Sequence, residues 1–157
     1  MIGCLISNIL LKKVIELPLS GYASICERKA RIIVSKDAKG NQTHRAFNNH
    51  PYEVTHYQID GVVIKNGKKC DFLLLNEDLG VAYFIELKGQ DLSWAAQQIE
   101  ATERALNAEL RDYSKHRYRI VANKCRTHDI ESSSFKRYRE LWGNRLKYKT
   151  LLLEENV

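Results

Sequence analysis

Two short apolar runs, separated only by Glu77-Asp78-Leu79-Gly80, constrain this chain more than any other feature. Residues 69–76 (KCDFLLLN) and 81–88 (VAYFIELK) are each too short for a buried helix. So tight a connection joins antiparallel neighbours, and the pair reads as a strand hairpin. Neither run alternates strongly with polar residues, so both faces need a covering layer. Upstream, residues 53–65 (EVTHYQIDGVVIK) are rich in β-branched and aromatic side chains and stop at Asn66-Gly67, a hairpin-turn signal. Three strands joined by two tight turns make a meander.

Downstream the period changes. In residues 90–111, Leu92, Ala95, Ala96, Ile99, Leu106 and Leu110 recur at helical spacing, with Asp91 as N-cap. Residues 116–125 (HRYRIVANKC) and 146–154 (LKYKTLLLE) read as further strands, and Ser132-Ser133-Ser134 caps a short basic helix through Leu141. A helix is expected around residues 22–31, and the polar, turn-rich residues 36–51 read as a loop. A meander, a crossover helix and a returning strand specify a mixed α/β sheet flanked by helices. With 157 residues and no Pro/Gly-rich linker, residues 1–157 are expected to form a single domain.

Composition narrows the function classes. A net charge of +6 favours polyanionic partners, nucleic acid before an anionic membrane surface. The apolar stretch 1–19 is interrupted by Lys12 and Lys13 before it reaches spanning length, and it lacks a signal-peptide pattern. We therefore expect a cytoplasmic protein without a membrane partner. The four cysteines form no C-x-x-C pair, which argues against structural zinc and for reduced thiols. The five histidines are scattered, so Asn48-Asn49-His50 lacks the second histidine an HNH site needs. No phosphate-cradling glycine loop and no G-x-S-x-G motif is present, which disfavours NTPase and serine-hydrolase chemistry.

The chemistry concentrates in Asp71, Glu86 and Lys88. Residues two apart on a strand share a face, so Glu86 and Lys88 point the same way. Asp71, near the start of the paired strand, falls opposite the end of its partner. Acids placed within apolar strands are costly unless something pairs with them, and a hard divalent cation held by carboxylate oxygens satisfies that need. Such a site suits phosphodiester hydrolysis, with Lys88 steadying hydroxide or phosphate. Asp/Glu-x-Lys occurs three times, at Glu27, Asp37 and Glu86, but only Glu86 lies in an apolar strand behind another strand's acid and ahead of Gly89 and a helix.

The order Cys70-Asp71-Phe72-Leu73, then Phe84-Ile85-Glu86-Leu87-Lys88-Gly89 and a helix, resembles the PD-(D/E)xK nuclease superfamily, which includes restriction endonucleases and Holliday-junction resolvases. The similarity covers roughly residues 20–125, and Lys69-Cys70 stands where a proline often precedes the first acid. It implies a restriction-endonuclease-like fold and a divalent-metal-dependent nuclease, with Asp71 and Glu86 ligating Mg²⁺ (or Mn²⁺) and Lys88 as catalytic lysine. DNA is the implied substrate, and a homodimer is a possible assembly. The alternative is a non-catalytic nucleic-acid-binding or assembly module on the same fold.

Resolvase-like members also present a first-helix glutamate to the metal, a role open to Glu27. A solvated ion pair beside Arg28 and Lys29 is the competing explanation. Gln98 could reach a water or phosphate, or simply flank the buried stripe. Asp60 reads as a strand-end turn residue. Lys136, Arg137, Arg139, Arg145, Lys147 and Lys149 interleave with Phe135, Tyr138, Trp142 and Tyr148. That pattern serves either a nucleic-acid-binding face with aromatic stacking or an amphipathic end with its aromatics in the core.

Overall fold

The structure, a computed structural model, describes residues 17–87 and 89–157. The hairpin demanded by the two apolar runs is the middle of a five-stranded sheet. Strands β3 (Val54–Gln58), β4 (Phe72–Asn76) and β5 (Val81–Glu86) form an antiparallel meander, with Phe72 opposite Ile85 and Asn76 opposite Val81. Helix α1 (Leu92–Ala105) crosses over, and β6 (Lys115–Ala122) returns parallel to β5. After a four-residue turn of helix, α2 (Thr127–Ile130), comes α3 (Ser133–Trp142), which leads into β7 (Leu146–Thr150), parallel to β6. A second sheet contains β1 (Ile32–Lys36), β2 (Thr43–Phe47) and β8 (Leu152–Asn156), in the order β1-β2-β8.

Both faces of the five-stranded sheet are covered, as its apolar strands require. On one face Leu73, Leu75, Ala82, Phe84 and Ile120 pack with Ala95, Ala96 and Ile99 of α1 and with Phe135, Tyr138 and Trp142 of α3. On the other, Leu74, Val81, Ile85 and Val121 pack with Ile33, Ala46 and Leu153 of the three-stranded sheet. All six residues of β5 are buried. At about 1.5–3 kcal/mol per buried large apolar side chain, these two cores supply the main favourable term in folding.

Several expectations change. Residues 22–31 form no helix. They run as an irregular segment along the edge of β3, where Ile25 N–H donates to His56 O at 2.7 Å and Val54 N–H donates to Arg28 O at 2.7 Å. The open edge of β3 offers those backbone partners, and edge pairing outweighs local helix preference. The stretch 36–51 is not one loop, because residues 43–47 are β2. Its polar letters disguised an alternation that buries His44 and Ala46.

The run 53–65 leaves the sheet after Gln58. The Ile59 carbonyl accepts from the amides of Val62, Val63 and Ile64, so residues 59–71 form a longer connection than an Asn66-Gly67 hairpin. Helix α1 stops at Ala105. Leu106 and Leu110 stay buried because a further turn keeps their helical spacing, with Leu110 N–H donating to Leu106 O at 3.0 Å. The run 146–154 breaks at Leu151, whose φ of 63° turns the chain from the five-stranded sheet into the three-stranded one. Strand propensity carries no information about such a corner. Among the described residues no helix is long and apolar enough to cross a membrane.

Candidate active site

Asp71 and Glu86 come together at the end of the meander. Phe72 opposite Ile85 is the last rung of the β4–β5 ladder, and Asp71 and Glu86 are the next residues beyond it on the two chains. Asp71 N–H donates to Ile85 O at 3.1 Å, one residue out of that register, so the two chains stay joined there with a local break in the ladder. Asp71 lies two residues before Leu73 and Glu86 two after Phe84, and both of those pack on the helix-side core. Strand alternation turns the Glu86 carboxylate toward α1, whereas Asp71, just before β4, reaches the cleft beside Phe72. Glu86 is 1% exposed and Asp71 8%, so both are held in a low-dielectric setting.

Their contacts fix them. Asp71 Oδ2 accepts from Leu87 N–H at 2.8 Å, which locks the carboxylate across the hairpin. Glu86 Oε1 accepts from Gln98 Nε2 at 3.3 Å. Gln98 Oε1 in turn faces Lys69 N–H at 3.4 Å. Behind it, Cys70 N–H donates to Thr102 Oγ1 at 2.7 Å, and that hydroxyl donates to Gln98 O at 2.9 Å. One stripe of α1 thus ties down the start of β4 and the end of β5. Burial pushes the Cys70 thiol well above its usual range, against the Thr102 hydrogen bond, and the charges of Glu86 and Asp71 add to the rise.

Asp71 opens onto a cleft of about 220 Å³ lined by Lys36, Asp37, Ala38, Gln58, Asp60, Asp71 and Phe72. The β1–β2 connection forms one wall, so the second sheet completes the site. Lys69 Nζ lies 3.6 Å from Asp60 Oδ1. Among the described residues, the lining carries the carboxylates of Asp37, Asp60 and Asp71 and the ammonium of Lys36. Sequence reasoning set Asp37 and Asp60 aside as turn residues. Both do sit in turns, and their placement at the cleft depends on contacts between the sheets that no local pattern encodes.

The remaining expected residues divide. Lys88 lies outside the described residues. Gln98 reaches Glu86, as above. Glu27 is exposed on the irregular segment beside β3, near the Val54 end, whereas Asp71 follows the opposite end of that strand's ladder, where Ile59 N–H donates to Asp71 O. The structure does not bring Glu27 to the pair, because the helix that would have carried it is absent. Phe135, Tyr138 and Trp142 are core residues, so they offer no stacking face. Lys136 and Arg137 remain exposed on α3, while Arg139 is half-buried and donates to Ile130 O and Glu131 Oε1.

The donor chemistry of Asp71 and Glu86 fits a hard divalent ion. Mg²⁺ is commonly held by one or two carboxylates and keeps several waters, so it does not need a full protein cage. Among the described residues no cluster of three or more His, Cys, Asp or Glu side chains is arranged to hold a metal. No protein-family model matches the chain, and neither curated proteins nor solved structures yield a match.

Proposed function

We propose that this chain is a divalent-metal-dependent nuclease of the PD-(D/E)xK type, hydrolysing phosphodiester bonds, with DNA as the substrate. The observation that carries this reading is the placement of two buried carboxylates, Asp71 and Glu86, at the adjoining ends of β4 and β5, with Asp71 open to the cleft. The antiparallel meander, crossover helix and parallel return strand agree with a restriction-endonuclease-like arrangement.

Asp71 and Glu86 would hold Mg²⁺ or Mn²⁺. The ion, when bound, lowers the pKa of a coordinated water and offsets charge on the phosphate. Asp71, fixed by the Leu87 amide, presents one carboxylate edge in a set orientation. Gln98 orients Glu86 through Oε1, a role comparable to the outer partners that hold metal ligands in place. Lys36 at the cleft wall supplies a cation for a non-reacting phosphate. Lys88, two residues beyond Glu86 in sequence, is the expected catalytic lysine and steadies the attacking hydroxide.

The alternative, a binding module without catalysis, has one observation on its side. Glu86 is almost fully buried and already hydrogen-bonded to Gln98, as an internal structural acid would be.

Plasmid and single-strand cleavage by wild type, Asp71→Asn and Lys88→Ala, with Mg²⁺ or EDTA, separates the two. Metal-dependent cleavage that falls at least about 100-fold in both variants, with nucleic-acid affinity unchanged, supports the enzyme. Binding without cleavage in wild type refutes it.

A further inference from the structure

Trp94 does not sit where a tryptophan ordinarily sits. It occupies the first turn of α1 with 48% of its surface exposed, while the other tryptophan, Trp142, is buried against Tyr118 with ring centroids 4.1 Å apart. Large exposed rings rimmed by polar groups mark contact surfaces. Lys68 stands over the Trp94 ring, its Nζ 4.6 Å from the centroid, and donates to Gln97 Oε1 at 2.7 Å.

This pair lies on the same helix as Gln98, which holds Glu86. Trp94, Gln97 and Gln98 are spaced i, i+3 and i+4 and form one stripe of the helix. The stripe begins at the exposed ring and ends at Gln98, whose amide touches Glu86 at 3.3 Å.

An exposed ring with an ammonium over one of its faces matches the two ends of one nucleotide. The base stacks on the exposed surface of the ring, and the phosphate draws the ammonium off the ring to itself. A base pair within a duplex keeps its faces in the stack and cannot use the ring. From this geometry we infer that Trp94 and Lys68 form a platform for an unpaired nucleotide adjoining the Asp71–Glu86 site, so that the substrate is a single strand or a duplex with unpaired bases near the cleavage point. The inference rests on the nuclease reading for the role of the neighbouring carboxylates. The platform itself needs neither metal nor cleavage.

The test uses the full chain in EDTA with a twelve-nucleotide oligodeoxythymidylate and a duplex of equal length as probes. Wild type shows quenching of tryptophan emission by the single strand, since Trp94 is the exposed member of the two. Trp94→Ala binds the single strand about ten-fold more weakly, Trp94→Phe stays within about three-fold of wild type, and duplex affinity is the same in all three. Lys68→Ala lowers the single-strand salt dependence by about 0.7 in log–log slope, for one phosphate contact. Trp94→Ala binding as tightly as wild type overturns the platform, and so does an equal loss for single strand and duplex. Restoring Mg²⁺ then separates the two ideas. Asp71-dependent cleavage without any Trp94 effect refutes the platform alone. Trp94-dependent binding with no cleavage refutes the nuclease reading and leaves the platform standing.

Discussion

Glu155 is the sharpest test of the three-layer packing. It lies on β8, its side chain 4% exposed, between the two sheets. Oε1 accepts from Arg119 Nε of β6 at 2.6 Å and is 2.8 Å from His44 Nε2 of β2, and Lys147 Nζ of β7 donates to Oε2 at 3.2 Å. Burial alone would raise the carboxyl's pKa. The His44 and Arg119 hydrogen bonds and charges outweigh burial and hold it at about 2, against an ordinary 4.5. At roughly 1.4 kcal/mol per pH unit, that gap is worth about 3 kcal/mol. A carboxylate whose pKa is lowered by folding contributes stability fully present above pH 4.5 and lost as pH falls toward 2.

Glu155→Gln keeps the shape and removes the charge. At pH 7 it should lose about 3 kcal/mol, in line with the 3–5 kcal/mol that breaking a buried ion pair costs. For a domain of this size that corresponds to a melting temperature about 6–12 °C lower. Urea unfolding followed by circular dichroism at pH 7 and pH 3 measures it. The gap between wild type and variant should shrink to less than about half at pH 3, as wild type loses the same contribution. Equal midpoints at pH 7, or a gap that does not narrow in acid, would refute the inter-sheet role of this carboxylate.

Two further outcomes follow from neighbouring groups. Burial first, and then the charge of His44, hold the His56 pKa down at about 4 against an ordinary 6.5, so the folded state keeps this imidazole neutral and loses stability as pH falls from 6.5 toward 4. His56→Gln, which can still bond Ser35 Oγ, should flatten the stability profile across that window, as unfolding midpoints at pH 7, 6, 5 and 4 would reveal. Gln98→Ala removes the donor to Glu86 Oε1 and should weaken Mn²⁺ binding about ten-fold, read by calorimetry, with the melting temperature little changed.

The central sheet was legible because its apolar runs are short, dense and punctuated by tight turns. Asp91 was readable as a cap, and its Oδ1 does accept from Trp94 N–H at 3.0 Å. That Asp71 and Glu86 stand at the adjoining ends of β4 and β5 was readable because the tight turn sets the order of the hairpin. What sequence could not give was anything decided between layers. The polar β2 is a strand because His44 meets Glu155 from the other end of the chain. Residues 22–31 follow an edge instead of coiling, and the Leu151 corner depends on a backbone conformation that its side chain disfavours. The acidic wall of the cleft, Asp37 with Asp60, likewise arises only when the second sheet docks. Trp94 escaped notice because an exposed helix position looks the same whether its ring is idle or used.

The most direct measurement is calorimetric titration of Mn²⁺ into wild type and Glu86→Gln, each first shown to be folded. The account predicts saturable binding to wild type and at least about ten-fold weaker binding to the variant, because Glu86 contributes one of the two carboxylates. Absence of Mn²⁺ binding in folded wild type would contradict it, and would make Asp71 and Glu86 structural hydrogen-bonding acids at the end of the meander.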